Sequence, residues 1–430
     1  MSSSGGNGNG NSDLHLPGLE ELHAMLESTN EGAGFIIPGW FLIIVGALAT
    51  FVYSTVAPVQ SAVNWEMVFL LGPVWLPILL GRFAMMRFIH MRQVNFNRRN
   101  QFVLLEMRIP REIFKSPKAM ESVFSSLNLG PGTGTWFKRY WWGRTRPWWS
   151  FEIASLEGKV HFFVYTRVNM RSALESFFYS QYPEIELIEA VDYARLRNPT
   201  HEPYGMFACE YLTALPDPYP IQSYVEWGLD QPSQKIEQQV DPLAQMMELM
   251  SSLGPGEQLW LQFMIRWSKG EKYRGRKNEK GKNYTWRDEG AVIVKKLRDD
   301  TVNKREEIDH EGNLREIVGF PNPTEVQKEI IAAVERNIGK PGFDVGIRGI
   351  YSAPKDKYYG TMNAFTANIF KPFISERYNQ LKPAPLFSEK FNDYPWEDVG
   401  GYRQRAEMHE ALEAFRARSY FHHPYRGPWM

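Results

Sequence analysis

The 430 residues hold 49 Lys and Arg against 49 Asp and Glu. Net charge therefore selects no nucleic-acid, membrane or acidic-substrate partner. The single cysteine, Cys209, excludes an intramolecular disulfide and a zinc cluster built from cysteines.

The length predicts two or three domains, and the aromatic content is high enough to fill a sizeable core. The charge is unevenly spread. Residues 1–81 contain no Lys or Arg but carry Asp13, Glu20, Glu21, Glu27, Glu31 and Glu66. Residues 1–12 are Gly, Ser and Asn, a composition expected to be disordered. They lack the positive start and apolar core of a signal peptide. Leu16, Leu19, Leu22 and Leu26 recur at near-helical spacing. Residues 1–33 thus read as a mobile acidic tail or as a short amphipathic helix.

Residues 34–90 form the longest apolar stretch. A span needs about 20 apolar residues, and two fit, at about 35–56 and 68–88. A short, nearly uncharged loop at 57–65 joins them. Arg82, Arg87, Arg92, Arg98 and Arg99 follow. Positive flanks stay in the cytoplasm, so a multi-pass inner-membrane location is expected, with both termini and the soluble region cytoplasmic. Trp40, Trp65 and Trp75 are candidate interface anchors. One span plus a buried apolar segment is the competing reading.

Strand and helix patterns then alternate. Residues 102–110 read as a strand. Residues 116–128 read as a helix with Met120, Val123, Phe124 and Leu127 on one face. A Gly-rich loop, GPGTG, follows. Two alternating runs flank Glu157-Gly158 as a hairpin. A helix over 170–183 and a strand over 185–193 complete a βαββαβ order, that of a ferredoxin-like unit.

A second pass repeats it: strand 207–215, helix 241–253, strands 257–267 and 343–353, and a helix over 358–370. The echo SSLNLGPG (125–132) and SSLGPG (251–256) falls after the first helix of each pass, which reads as a duplication.

The second pass carries an insertion over about 268–342. Its first part reads as a flexible basic arm, with Lys269, Lys272, Arg274, Arg276, Lys277, Lys280, Lys282 and Arg287. A helix follows over 323–338. The arm has three readings: phosphate contacts to nucleic acid with Tyr273, Tyr284 and Trp286 stacking on bases, contact with anionic lipid, or a solvated loop. The tail from Leu381 is rich in proline and aromatics, with a helical pattern at about 403–418.

The expected fold class is α+β, with an N-terminal two-helix transmembrane hairpin followed by two ferredoxin-like units. The expected domains are 1–33, 34–90, 100–195, 204–385 and 386–430.

Chemical motifs are scarce. GPGTG is followed by Thr135-Trp136 instead of the Lys and hydroxyl of a phosphate loop. His422-His423 lacks a partner at helical spacing. Asp309-His310-Glu311 reads as an exposed turn. Neither HExxH nor GxSxG occurs. Cys209, within MFACEYL, reads as an inert core thiol. No catalytic residue, metal ligand or cofactor is assigned. A second cluster joins aromatic and basic residues: Trp136, Tyr140, Trp141, Trp142, Trp148 and Trp149 with Lys138, Arg139, Arg144 and Arg146. It suits a membrane or protein interface, or aromatics folded back on the sheet.

The runs FKSPKAMESVFSSLN, WWSFEIASLEGKVHFFVYT and ALESFFYSQYPEIELIEAVDY resemble a bacterial family found mainly in candidate phyla. So does the tail DYPWEDVGGYRQRAEMHEALEAFRARSYFHHPYR. Its members are membrane-anchored, and their N-terminal part precedes a conjugative coupling-protein-like ATPase of the type IV secretion class. No position here matches the ATP-binding residues, so the resemblance implies the anchor module alone, with the motor absent or its P-loop ATPase on a separate chain. The function expected is a non-catalytic, membrane-anchored assembly module tethering that ATPase at the cytoplasmic face. The alternatives are a nucleic-acid-binding protein acting through 269–287 and a membrane hydrolase with a spatially assembled site. The expected partners are a lipid bilayer, the ATPase, DNA and further copies of the chain.

Overall fold

The structure, a computed structural model, describes residues 55–56, 72–110, 116–130, 134–198, 204–230, 241–270, 273, 276–308, 314–385 and 399–422. The tail over 1–33 and nearly all of the first predicted span lie outside them. By compactness the chain divides between Phe83 and Ala84, within helix α1 (Gly72–Arg99).

Helix α1 overturns the membrane expectation. Among the described residues no helix is long and apolar enough to cross a membrane. The run assigned to a second span includes Arg82 and Arg87, and α1 continues past them through His90, Arg92, Arg98 and Arg99. It also encloses Pro77, which removes one helical hydrogen bond. Apolar residues cluster in α1 but are not sustained over the roughly 20 residues a crossing requires. The transmembrane hairpin, and the multi-pass location drawn from it, are therefore corrected.

Residues 84–430 are an α+β body built on one sheet. The strands are β1 (Phe102–Arg108), β2 (Trp148–Leu156), β3 (Lys159–Arg167), β4 (Glu186–Glu189), β5 (Tyr204–Thr213), β6 (Gln258–Trp267), β9 (Phe343–Pro354) and β10 (Leu381–Pro385). Strands β7 (Val302–Ile308) and β8 (Leu314–Pro321) form a separate hairpin. The order across the large sheet is β10-β5-β9-β6-β2-β3-β1-β4, and every pairing is antiparallel.

This corrects the expected pair of ferredoxin-like units. The halves do not keep separate sheets: β2 pairs with β6 from Trp148↔Arg266 to Leu156↔Gln258. Both strands are largely buried on each face, so neither could stand as a free edge. Alternation along a sequence reveals a strand's faces but not its neighbour.

One face is covered by α2 (Lys118–Leu127), α4 (Arg171–Gln181), α6 (Pro242–Ser251) and α9 (Gly360–Ala367). Val123, Leu127, Leu174 and Phe178 pack there over the β1–β4 half, and Met246 and Met250 over the β5–β10 half. The other face is covered by α5 (Tyr193–Leu196) and α10 (Tyr402–Arg416), through Tyr193, Ala411, Leu412 and Phe415. Where a strand over 185–193 is expected, β4 stops at Glu189. Asp192 then caps α5 by accepting from the Ala194 N–H.

The described part of the insertion holds regular structure where a flexible arm is expected. Thr285 and Asp288 form a capping box that starts α7 (Trp286–Asp299). Helix α8 (Glu325–Ile338) begins with a second box, Thr324 with Gln327. The two helices bury Val294, Ile331 and Val334 between them.

Candidate functional site

Three features of the 84–430 body bear on function. The first is a knuckle on α3 (Trp136–Tyr140) and the turn after it. Trp136, Trp141 and Trp142 are 66%, 50% and 56% exposed, and Phe137 is 48% exposed. The segment is seated on α1. The ring of Trp141 lies 5.4 Å from that of Phe88, and the Arg92 guanidinium stands over both. Thr145 donates to Asn97 Oδ1 at 2.8 Å and accepts from Arg167 at 2.8 Å. Gly143, at φ 70°, is obligatory here, because a Cβ would sit 2.3 Å from the Arg92 carbonyl carbon. Lys138, Arg139 and Arg144 lie half-buried in the same segment. Burial, with Arg144 nearby, pushes Arg167 down to about 10.

The second feature is a polar ladder buried on the α10 face of the sheet. The register sets Glu152 opposite Gln262, Gln262 opposite Arg348, and Arg348 opposite Glu210. Arg266 stands opposite Asp344 and binds it at 2.9 Å. Each is buried, yet burying a charge without a partner costs several kcal/mol. Arg266 and Arg348 have acidic partners within the sheet, Asp344 and Glu210, and further partners come from the segment after α10, which runs over the ladder as a strap.

Arg418 gives Glu152 a two-pronged ion pair, Nε to Oε1 at 2.9 Å and Nη2 to Oε2 at 3.0 Å. It also donates to Asp192 at 2.6 and 2.9 Å. Ser150, Tyr193 and Gln262 complete the shell of Glu152 at 2.7, 2.9 and 3.1 Å. Next along the strap, Arg348 donates to the Ser419 carbonyl at 3.0 Å and stands over Tyr420. Arg266 stands over Phe421, and His422 stacks on Trp148. Gly346 makes room for the strap, since a Cβ there would meet the Tyr420 ring at 2.4 Å.

The strap leaves α10 through a Schellman turn. Arg418 N–H donates to the Phe415 carbonyl and Ser419 N–H to the Ala414 carbonyl. The left-handed position of that turn usually belongs to glycine. Here it is Arg418, at φ 48°, which costs roughly 1–2 kcal/mol.

The ion pairs set the charge states. Burial disfavours the Arg418 charge, but Glu152 and Asp192 more than offset it, so the guanidinium is held well above its ordinary value. Burial alone would raise Asp192. The Arg418 hydrogen bonds and charge, with the Ala194 N–H, instead hold it below the usual carboxylate range.

The third feature is the turn of residues 276–287, where part of the basic arm folds. Arg276, Lys277, Lys280, Lys282 and Arg287 are exposed on it, as is Lys269 before it, while Lys272 and Arg274 lie outside the described residues. The predicted stacking aromatics turn inward. Tyr273 is buried and bonds Glu289, Tyr284 packs on Tyr273 at 5.6 Å, and Trp286 abuts Gly342.

Other sequence candidates divide clearly. Trp148 and Trp149 are each 2% exposed and belong to the core, so their assignment as interface aromatics is corrected. Arg146 is likewise buried, beside Asp344. Cys209 is buried, and burial first of all raises its thiol to about 12. His423 and Asp309-His310-Glu311 fall outside the described residues. Among the described residues no group of three or more His, Cys, Asp or Glu converges to hold a metal ion.

Sequence reasoning missed Glu152, Asp192, Gln262, Arg266, Arg348 and Arg418. A signal was present: WWSFEIASL, QLWLQFMIRW and FDVGIRGIY each set polar residues at alternate positions among apolar ones, with Glu152, Gln262, Arg266, Asp344 and Arg348 among them. No protein-family model, curated protein or solved structure matches this chain.

Proposed function

We propose that the chain is a non-catalytic assembly platform that docks a partner protein through the Trp136–Trp142 knuckle. The observation that carries this is the outward display of Trp136, Phe137, Trp141 and Trp142 on one short segment, with cations beside them. Monomers seldom expose such a patch without a use for it. Trp and Arg are also the residues most enriched among interface hot spots. The knuckle is pre-organised by Phe88, Asn97 and Gly143, so docking loses little ordering entropy.

The partner suggested by the resemblance is a P-loop ATPase of the secretion-coupling class. In the resembled proteins the segment after the sheet leads to such a motor. Here the corresponding strap is locked to the sheet by Arg266, Arg348 and Arg418. A motor tethered through that segment would meet this chain at raised effective concentration. No membrane-spanning hairpin enters this reading.

The test is affinity capture from the native cell with a tagged full chain and a Trp136→Ala/Trp141→Ala/Trp142→Ala variant. Specific recovery of a P-loop ATPase, lost in the variant, supports the proposal. Recovery of no such ATPase, or equal recovery by the variant, refutes it.

A further inference from the structure

We propose that the turn of residues 276–287 is a duplex nucleic-acid contact that grips the phosphate backbone. This goes beyond the docking reading and does not depend on it, because it uses a different surface.

Three observations carry it. The first is charge. Arg276, Lys277, Lys280, Lys282 and Arg287 project from one short turn, and among the described residues none of the five has an acidic partner. The bonds recorded for them go to neutral groups: Lys277 donates to Asn283 Oδ1 at 2.7 Å and Arg287 to the Lys340 carbonyl at 3.0 Å. The carboxylate of Asp288 is occupied by the Thr285 N–H and hydroxyl and by the Asn278 amide. Glu279 is the one exposed acid within the turn.

The second observation is order. Asn278 pins the turn from inside. Its Oδ1 accepts from the backbone N–H groups of Lys280 and Lys282, at 3.1 and 2.9 Å. Its own N–H donates to the Lys282 carbonyl at 2.9 Å. Gly281, at φ 70°, closes the turn, and Lys277 bridges to Asn283. The backbone that carries the cations is therefore held in place, whereas a loose arm would have to be ordered on binding.

The third observation selects the ligand. Tyr273 is buried, and Tyr284 and Trp286 are half-buried against Tyr273 and Gly342, so none of the three stands out as a platform for stacking single-stranded bases. Its remaining exposed residues, Glu279, Gly281 and Asn283, are not apolar, so nothing would enter a lipid interface. A narrow, polar, cationic projection suits regularly spaced phosphates along a duplex.

The experiment is fluorescence anisotropy of the full chain with a labelled DNA duplex of about 24 base pairs, the matching single strand, and phosphatidylglycerol vesicles as competitor, over a salt series. Each phosphate contact adds about 0.9 to the log–log salt slope. Five contacts give an expected slope of about −4.5 for the parent. Lys277→Gln/Lys280→Gln/Lys282→Gln should lower its magnitude by about 2.7 and weaken duplex binding about tenfold or more at low salt. Asn278→Ala keeps every charge and should weaken binding about threefold. Unchanged thermal unfolding shows that these surface variants are folded. A triple variant that keeps the parental affinity and slope overturns the proposal, as does tighter binding to single strand or vesicles than to duplex. Parental binding by Asn278→Ala overturns the ordered array.

Discussion

Replacing Arg418 by Met removes the buried cation that bridges Glu152 and Asp192. Glu152 is 1% exposed and keeps the donors Ser150, Tyr193 and Gln262, but loses both guanidinium bonds. Breaking a buried pair from one side typically costs 3–5 kcal/mol, because the remaining charge stays desolvated. Relief of the left-handed backbone at residue 418 offsets none of this in Met, which has a Cβ. It offsets about 1 kcal/mol in Arg418→Gly. We therefore expect a loss of about 4 kcal/mol for Arg418→Met and about 3 kcal/mol for Arg418→Gly. At about 2 cal/mol/K of unfolding entropy per residue, a body of this size should melt about 5 °C lower in the Met variant. Adding Glu152→Gln removes the orphaned charge and should restore about half of the loss. Thermal unfolding followed by near-UV circular dichroism measures all three. A shift below about 1 °C for Arg418→Met would refute the reasoning, because the network would then contribute only what an exposed pair does.

Other expectations follow from the same surfaces. Asp192 is held below its ordinary 3.8 in the folded state. Its contribution is therefore present above the unfolded value and is lost as the pH falls from about 4 downward. Denaturant midpoints over that range should drop less steeply in Asp192→Asn than in the parent. Gly346→Ala places a methyl against the Tyr420 ring, so the strap should shift and stability fall by about 1–3 kcal/mol. Limited proteolysis near Ser419 would report the shift as faster cleavage. Cys209 is buried with its thiol raised to about 12. A thiol reagent at pH 8 should leave it unmodified until denaturant is added.

The local elements were largely legible. Alternation located the central strands, and Glu157-Gly158 marked the hairpin between β2 and β3, where both residues have positive φ. The period-3.6 faces located α2, α4 and α8. Helix α7 was hidden by its charged surface, although its capping box TWRD stands in the sequence. Apolar content alone gave a membrane span where Arg82 and Arg87 interrupt the run. In the candidate surfaces, the same composition split two ways. Trp141 and Trp142 face outward from the α1 scaffold, while Trp148 and Trp149 enter the core because they begin a central strand.

The sequence by itself determined where most of the strands and helices lie and which of their faces are apolar, since these depend on neighbours three or four residues apart at most. Only the tertiary structure decided that β2 pairs with β6 and that Arg418 meets Glu152 across 266 residues. Both depend on which distant segments meet when apolar faces are buried, and a short window of sequence carries no record of that choice. The buried charges follow the same logic. Glu152, Arg348 and Arg418 look like surface residues in sequence, and only the folded sheet with the strap laid over it supplies the partners that make their burial tolerable.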